Sequence, residues 1–286
     1  MPPVFRIAIL INPQAGDGKN LALHKEITAH LQSRQIDFET WEGEWNLEPE
    51  LYSHIYLIGG DGTLNYFINK FPDCKTPISL FNAGTGNDFF WKLYGSVSVN
   101  AQLETALSGE ITAIDAGDCN GRLFLNGTGI GFDGSVVQQM QRESSFIKGI
   151  SGYYAAVIKS IFSYRSKKVQ VVFEPADIGR SDIVFMIAIA NGSRYGGDFM
   201  IAPQACLTDG YLDFVSIGKV SVIKRLFYLP KMKKGGHLSL PFVYHSKVKS
   251  VSIRSEKPIA AHLDGELMIS TSFQIKVLPR HFNFRR

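Results

Sequence analysis

Ile58-Gly59-Gly60-Asp61-Gly62-Thr63-Leu64-Asn65 is the stretch that decides how this chain folds. The apolar run His54-Ile55-Tyr56-Leu57-Ile58 ahead of it reads as a buried strand. Behind it, Leu64, Phe67, Ile68 and Phe71 recur at helical spacing. A strand that turns through glycines into a helix presents bare backbone N–H groups at the positive end of the helix dipole. That is an anion site, and in an α/β protein the usual anion is a phosphate. A carboxylate in such a loop repels phosphate unless a positive charge lies between them. Asp61 therefore points to bound Mg²⁺, to a hydroxyl that must lose its proton, or to both. The alternative here is a glycine-rich turn with Asp61 as helix N-cap.

Two further turns repeat the pattern. Val4 to Ile11 is a strand that ends in Asn12-Pro13-Gln14-Ala15-Gly16-Asp17-Gly18-Lys19 and opens a helix carrying Leu21, Leu23, Ile27 and Leu31. Phe38 to Trp41 ends a second strand. Pro77 to Phe81 is a fourth strand, running into Asn82-Ala83-Gly84-Thr85-Gly86-Asn87-Asp88. Three such turns converge at the carboxyl edge of a parallel sheet, where open α/β sheets bind ligands. The spacing thus predicts a Rossmann-like N-terminal domain. Asp88, like Asp61, is either a ligand group or a helix cap.

The bulk numbers set bounds. At 286 residues, two domains are expected. With 45% hydrophobic and 20% charged residues the chain is ordinary globular material. No apolar run approaches the ~20 residues of a membrane span. The start of the chain lacks a signal-peptide layout, and Cys74, Cys119 and Cys206 are too scattered for a disulfide frame or a zinc site. A cytoplasmic protein is expected. Net charge is +4, unevenly spread: residues 1–118 hold 7 Lys and Arg against 15 Asp and Glu, and residues 119–286 hold 23 against 11. Such asymmetry separates a chemistry half from a surface-binding half.

Asn12-Pro-x-x-Gly16, Gly59-Gly-Asp-Gly-Thr63-x-Asn65 and Asn82-Ala-Gly-Thr-Gly-Asn-Asp88 resemble the motifs of diacylglycerol-kinase-type catalytic domains. The soluble bacterial lipid kinases are the nearest in pattern, with sphingosine and ceramide kinases as relatives. The resemblance continues through Asn126-Gly-Thr-Gly-Ile-Gly-Phe-Asp133, Asn191-Gly-Ser-Arg-Tyr-Gly-Gly197, Ile201-Ala-Pro203, Asp209-Gly-Tyr-Leu-Asp213 and Leu263-Asp-Gly-Glu266. It implies ATP-dependent phosphorylation of a lipid hydroxyl, diacylglycerol or a relative such as a ceramide or sphingoid base. It places nucleotide contacts on Asn12, Pro13, Gly16, Thr40, Gly60, Asp61, Gly62, Thr63, Leu64, Asn65, Tyr66 and Thr85; the glycine turns add Gly59, Gly84, Asn87 and Asp88. It places the proton acceptor on Glu266, with Asp61 and Asp264 as its candidate companions. An accessory Mg²⁺ site, made by one carboxylate and two backbone carbonyls, falls on Asp209 with Cys206 and Tyr211. A departure is Gly196-Gly197-Asp198-Phe199, where the family continues with another glycine; it leaves the shape of the acceptor site open. Gly-Gly-Asp-Gly-Thr alone is shared with NAD kinases, so a nucleotide kinase is the alternative enzyme. A non-catalytic membrane-surface nucleotide or lipid binder is the alternative outside catalysis.

After Ala113 to Asp118, the expected crossing between domains, strands dominate: Leu123–Gly127, Val169–Phe173, Ile183–Asn191, Tyr211–Ile217, Val248–Ile253 and Phe273–Leu278. Alternation and turn glycines predict an antiparallel sandwich, with helices near 131–142, 146–163 and 220–234. The expected division is a nucleotide-binding domain at 1–116, with 277–286 as candidates to complete it, and a lipid-acceptor β-sandwich at 117–276. The active site is expected in the cleft between them. Ala261 to Leu267 reads by itself as a tight hairpin at Asp264-Gly265. Residues 219–249 hold Lys219, Lys224, Arg225, Lys231, Lys233, Lys234, Lys247 and Lys249 and no acid. The helix among them either lies on an anionic membrane or packs on the core with a solvated face. Helix 146–163, with Ile147, Ile150, Tyr154, Val157, Ile158 and Ile161, is either core or the wall of a lipid groove. Peripheral membrane association is expected; the oligomeric state is open, a homodimer included. No nucleic-acid partner is expected.

Overall fold

A computed structural model describes residues 5–13, 18–84, 86–142, 149–174, 178–196 and 199–286. The chain divides into two compact units. One comprises the residues up to Ile114 together with Arg280–Arg286, the other Asp115–Pro279.

In the first unit the order is β1 (Arg6–Ile11), α1 (Lys19–Ser33), β2 (Asp37–Glu42), β3 (His54–Gly59), α2 (Asp61–Lys70), β4 (Ile78–Asn82), α3 (Asp88–Tyr94) and α4 (Val99–Ser108). β1 pairs in parallel with β2 (Ile9 opposite Thr40) and with β3 (Ile9 opposite Tyr56), and β3 pairs in parallel with β4 (Ile58 opposite Phe81). Phe284 of the returning C-terminus lies beside Ile78 of β4. β1 and β3 read as unbroken apolar runs because both their faces are covered. Leu23, Ile27 and Leu31, one helical turn apart on α1, close over Ile7, Ile9, Tyr56 and Phe81. Parallel strands end on the same edge, so Asn12, Thr40, Gly59 and Asn82 share it.

The second unit is built from β5 (Ile111–Cys119), β6 (Arg122–Phe124), β7 (Gly127–Gly131), α5 (Phe132–Arg142), α6 (Gly149–Ser163), β8 (Lys167–Glu174), β9 (Ile178–Ala190), β10 (Leu212–Gly218), α7 (Val222–Lys233), β11 (Val243–Val248), β12 (Ser250–Leu263) and β13 (Glu266–Arg285). The first residues of β5 and the last of β13 belong to the first unit. Pairing is antiparallel: β9 with β7, β8 and β10, β10 with β11, and β12 with β7, β8 and β13. On β9, Ile187 and Ile189 enter the core between strands, while Met186 and Ala188 face α5 and α6.

Three strand expectations change. The run Leu123–Gly127 divides at Leu125-Asn126, whose backbone N–H groups turn to a side chain. The strand expected at 248–253 is two, divided at Lys249, and its second part reaches Leu263. The strand expected at 273–278 runs from Glu266 to Arg285; at its far end the alternation resumes with buried Phe282 and Phe284. The ladder between β12 and β13 skips from Arg254 to Ile259; Pro258 lies in that gap and has no N–H to give. Helix α6 is described from Gly149, so Ile147 lies outside the described residues.

Candidate functional site

The first unit brings two glycine turns into backbone contact. An ideal Cβ built on Gly84 falls 2.5 Å from the Cα of Gly60, and one on Gly60 falls 2.8 Å from the Cα of Gly84. Only hydrogen fits at that crossing. Gly60 is also the N-cap of α2 and offers no side chain to its first turn. That turn is therefore a backbone donor site at a positive helix end. The same holds at α1, whose N-cap is Gly18 in the left-handed region with φ +88.

Asp61, the first residue of α2, does not point its charge into open solvent. Its carboxylate accepts the backbone N–H groups of Asp88 at 2.9 Å and Phe89 at 3.2 Å, capping α3 from a neighbouring helix. It is a cap, but of the other loop's helix, and so it locks the two turns together. Asn87 sits in the left-handed region with φ 47, and its Nδ2 donates to the Gly84 carbonyl at 2.6 Å. Asp88 is buried. Gly59, Gly60, Asp61, Leu64 and Asn87 line a small cavity here, with Leu57, Leu80 and Phe90 as its apolar wall.

The remaining candidates divide. Leu64 and Asn65 are buried side chains, and Thr63 packs against Gly59. Any contact they make to a ligand at the turn is through their backbone. Gly62 is exposed; Tyr66 is exposed and set edge-on to Trp45. The Asn12 carbonyl accepts from Asn20 Nδ2 at 2.5 Å; Pro13 is exposed. Thr40 Oγ1 lies 3.0 Å from His24 Nε2, and burial holds that imidazole below its ordinary pKa. Asn20 and His24 carry no motif, so sequence reading missed them. Gly16, Thr85, Gly197 and Asp198 lie outside the described residues.

In the second unit the hairpin at Asp264-Gly265 has both turn residues at positive φ, 48 and 92, as a tight two-residue turn requires. Its two acids have separate surroundings. Glu266 is exposed at the tip. Asp264 accepts from the N–H groups of Leu125 at 2.8 Å, Asn126 at 3.0 Å and Gly127 at 2.8 Å, which pins the hairpin onto the start of β7. Asp264→Ala should strip all three and lower stability by about 2–4 kcal/mol, read as a fall in the urea midpoint with unchanged slope.

Asp209 accepts from the Tyr211 N–H at 3.1 Å and is ion-paired with Lys247. Buried Asp115 holds the same loop by accepting from the Gly210 N–H at 2.7 Å. Cys206 and Tyr211 are exposed, and Lys249 lies over the Tyr211 ring. Among the described residues no group of three or more His, Cys, Asp or Glu is gathered as a metal cage. Lys247 is the ion-pair partner of the one carboxylate in the expected accessory Mg²⁺ set, whose other two ligands are backbone carbonyls, of Cys206 and Tyr211. Asp118 accepts from the Gly121 N–H and serves the β5–β6 turn. Asn191, fully buried, donates to the carbonyls of Asp115 and Leu125, both at 2.8 Å, and is structural.

The same unit holds an apolar pocket between α5, α6, α7 and the sheet, partly open to solvent. Phe132, Val157, Phe185, Phe199 and Met232 are among its walls, with Asp133 and Tyr195 at one side. Tyr195 donates its hydroxyl to Asp133 at 2.8 Å. Burial pushes Asp133 up to about 6, opposed by that hydrogen bond, and pushes nearby His262 down to about 4. Sequence reading missed this polar group because Gly-Phe-Asp133 gives no hint of what closes over it.

Asp133 makes a signed prediction. Its unfolded pKa is the ordinary carboxylate value, so between about pH 4 and pH 6 the folded state keeps a proton that the unfolded state has lost. Stability from this group is full below that window and falls as pH rises through it. Asp133→Asn should therefore raise stability at pH 8 by on the order of 2–3 kcal/mol and give no gain at pH 4, measured by thermal melts.

The first unit is a parallel α/β sheet whose strands end in glycine turns, and the second is β-rich and holds an apolar pocket. Residues 6–119 match the model for the diacylglycerol kinase catalytic domain, and residues 128–285 match that for the YegS C-terminal NAD kinase beta sandwich-like domain. The chain belongs to the diacylglycerol kinase family of lipid kinases. It is 26% identical over 244 residues to a diacylglycerol kinase of Staphylococcus epidermidis, covering 84% of this chain and 75% of that one. It is 25% identical over 295 residues to a "Probable lipid kinase YegS-like" of Shewanella frigidimarina, covering 99% and 94%. The crystal structure of a diacylglycerol kinase from Bacillus anthracis superposes with a TM-score of 0.78 at 22% identity, over 100% of this chain and 98% of that one. Yeast NADH kinase shares the fold more distantly, with a TM-score of 0.52 at 11% identity over 99% and 84%.

Proposed function

We propose that this chain transfers the γ-phosphate of ATP to the hydroxyl of diacylglycerol or a closely related lipid. The observation that carries the nucleotide half is the Gly60–Gly84 crossing at an uncapped helix start. Residues 1–116, completed by 277–286, act as the Rossmann-like nucleotide domain, and 117–276 as the lipid-acceptor domain. Backbone donors of the glycine turns hold the phosphates with no side chain to displace, and Asp61 keeps the two turns in register. Mg²⁺ carried with the nucleotide supplies charge neutralisation to the triphosphate. Glu266, exposed at the hairpin tip, takes the proton of the lipid hydroxyl; Asp264 fixes the hairpin that carries it. Asp61 is the second candidate for the proton.

The apolar cavity supports a lipid acceptor over a dinucleotide. Its walls offer aliphatic and aromatic contact and few polar groups, unlike a site for a charged soluble substrate. Peripheral contact with an anionic membrane follows from where such a lipid resides. Among the described residues no helix is long and apolar enough to cross a membrane. The test is transfer of radiolabel from ATP to a panel of diacylglycerol, ceramide, sphingosine, phosphatidylglycerol and NAD. Label in a lipid supports the reading. Label in NAD alone, or ATP bound without turnover, overturns it.

A further inference from the structure

Helix α7 has two apolar faces. Its inner face, Tyr228, Leu229 and Met232 with Arg225, lines the cavity. Its outer face carries Ile223, Leu226, Phe227 and Pro230, all exposed. Ile223 at 80% and Phe227 at 74% are the most exposed large apolar residues among those described. No residue of the helix is fully buried. On a core-packed helix the second face would be polar, so this one has a partner.

The charges around it say which kind. Lys224, Lys231, Lys233 and Lys234 are exposed on or just after the helix and Lys219 just before it. From Phe214 to Ser255 the chain has no acid. Four of the basic residues in this region have contacts of their own: Lys233 donates to the Tyr154 hydroxyl at 3.3 Å and Lys249 lies over the Tyr211 ring. Arg225 turns inward, donating to the carbonyls of Ile161 at 2.7 Å and Tyr164 at 2.9 Å, and Lys247 pairs with Asp209. On α6, which Arg225 ties to α7, Ile158 and Phe162 are exposed as well.

We propose that the outer face of α7 is the surface by which this kinase lies on an anionic bilayer, with Ile223 and Phe227 entering the acyl boundary and the lysines at the headgroups. This rests on the membrane reading above and adds the face that makes the contact. A second copy of the chain is the poorer occupant. A two-fold contact would set each lysine cluster against itself, and a few side chains fall well short of the ~800 Å² per partner of a stable interface. Anionic headgroups complement both features at once. The arrangement also gives the cavity its supply: one helix touches the bilayer outside and the acyl space inside.

The test is co-sedimentation of the full chain with vesicles of phosphatidylcholine alone and of phosphatidylcholine mixed with phosphatidylglycerol. The parent should bind the mixed vesicles and lose binding in high salt. Ile223→Ser with Phe227→Ser should lower the partition coefficient by about thirtyfold or more, and Lys231→Gln and Lys234→Gln by about fivefold each. Activity on a short-chain lipid in detergent should be unchanged in all of them. As a direct locator, Phe227→Trp should be quenched by brominated lipid beyond the parent, whose Trp41, Trp45 and Trp91 belong to the other unit. If the parent binds but these variants bind equally and Phe227→Trp is unquenched, the face is wrong and the membrane reading stands. If the parent ignores anionic vesicles, the membrane reading fails and this assignment with it. If Ile223→Ser with Phe227→Ser instead converts a dimer to a monomer without vesicles, the face belongs to a second copy.

Discussion

Glu266→Gln is expected to lower kcat by about a thousandfold while leaving the melting temperature within a degree or so of the parent. General-base catalysis contributes about 10²–10⁴ in rate, and an exposed side chain at a hairpin tip holds little of the fold. The comparison that gives this meaning is with its neighbour. Asp264→Asn also lowers activity, but through the hairpin: it gives up part of the bonding to Leu125, Asn126 and Gly127 and so loses stability as well. Loss of rate without loss of stability is the signature of Glu266; loss of both is that of Asp264. Near-parent activity in Glu266→Gln moves the proton to Asp61. In that case Asp61→Asn must carry the rate loss, beyond the ~1 kcal/mol or so that weakening its cap on α3 costs.

Gly84→Ala is expected to abolish nucleotide binding, with at least a hundredfold weaker ATP affinity and about 2–4 kcal/mol less stability. The reason is geometric. The added carbon would meet the Cα of Gly60 at 2.5 Å and the Asn87 Oδ1 at 2.7 Å, and backbone cannot rotate away as a side-chain tip can. Gly60→Ala should act alike. Gly86→Ala is the control, since its Cβ would meet only the Asp61 Oδ2 at an ordinary 3.4 Å. Calorimetry with ATP alongside chemical unfolding separates the two losses. If Gly84→Ala binds ATP normally, the turns are scaffolding and the phosphate lies elsewhere.

How far the sequence could be read depends on what each residue's part requires. Apolar runs of strand length and helical repeats are local, so β1, β3, β4 and α2 could be placed from their own residues. So could the Asp264-Gly265 turn, which needs only two positive φ values in succession. A side chain's partner is not local. Asp61 reads as a phosphate-side acid or as its own helix cap, and it caps α3 from 27 residues away in sequence. The eight basic residues at 219–249 read as one patch, yet Arg225 and Lys247 point to other partners.

By itself the sequence determined the order of strands, turns and helices, the glycine turns at the strand ends and the family, because these are set by short-range sterics and by motifs. Only the tertiary structure decided which acids are engaged and which exposed, that Lys247 stands at the Asp209 carboxylate, that Asp133 is closed in beside an apolar cavity, and that α7 turns a second apolar face outward. Charge pairing and burial depend on distances between segments far apart along the chain, and no local pattern records them.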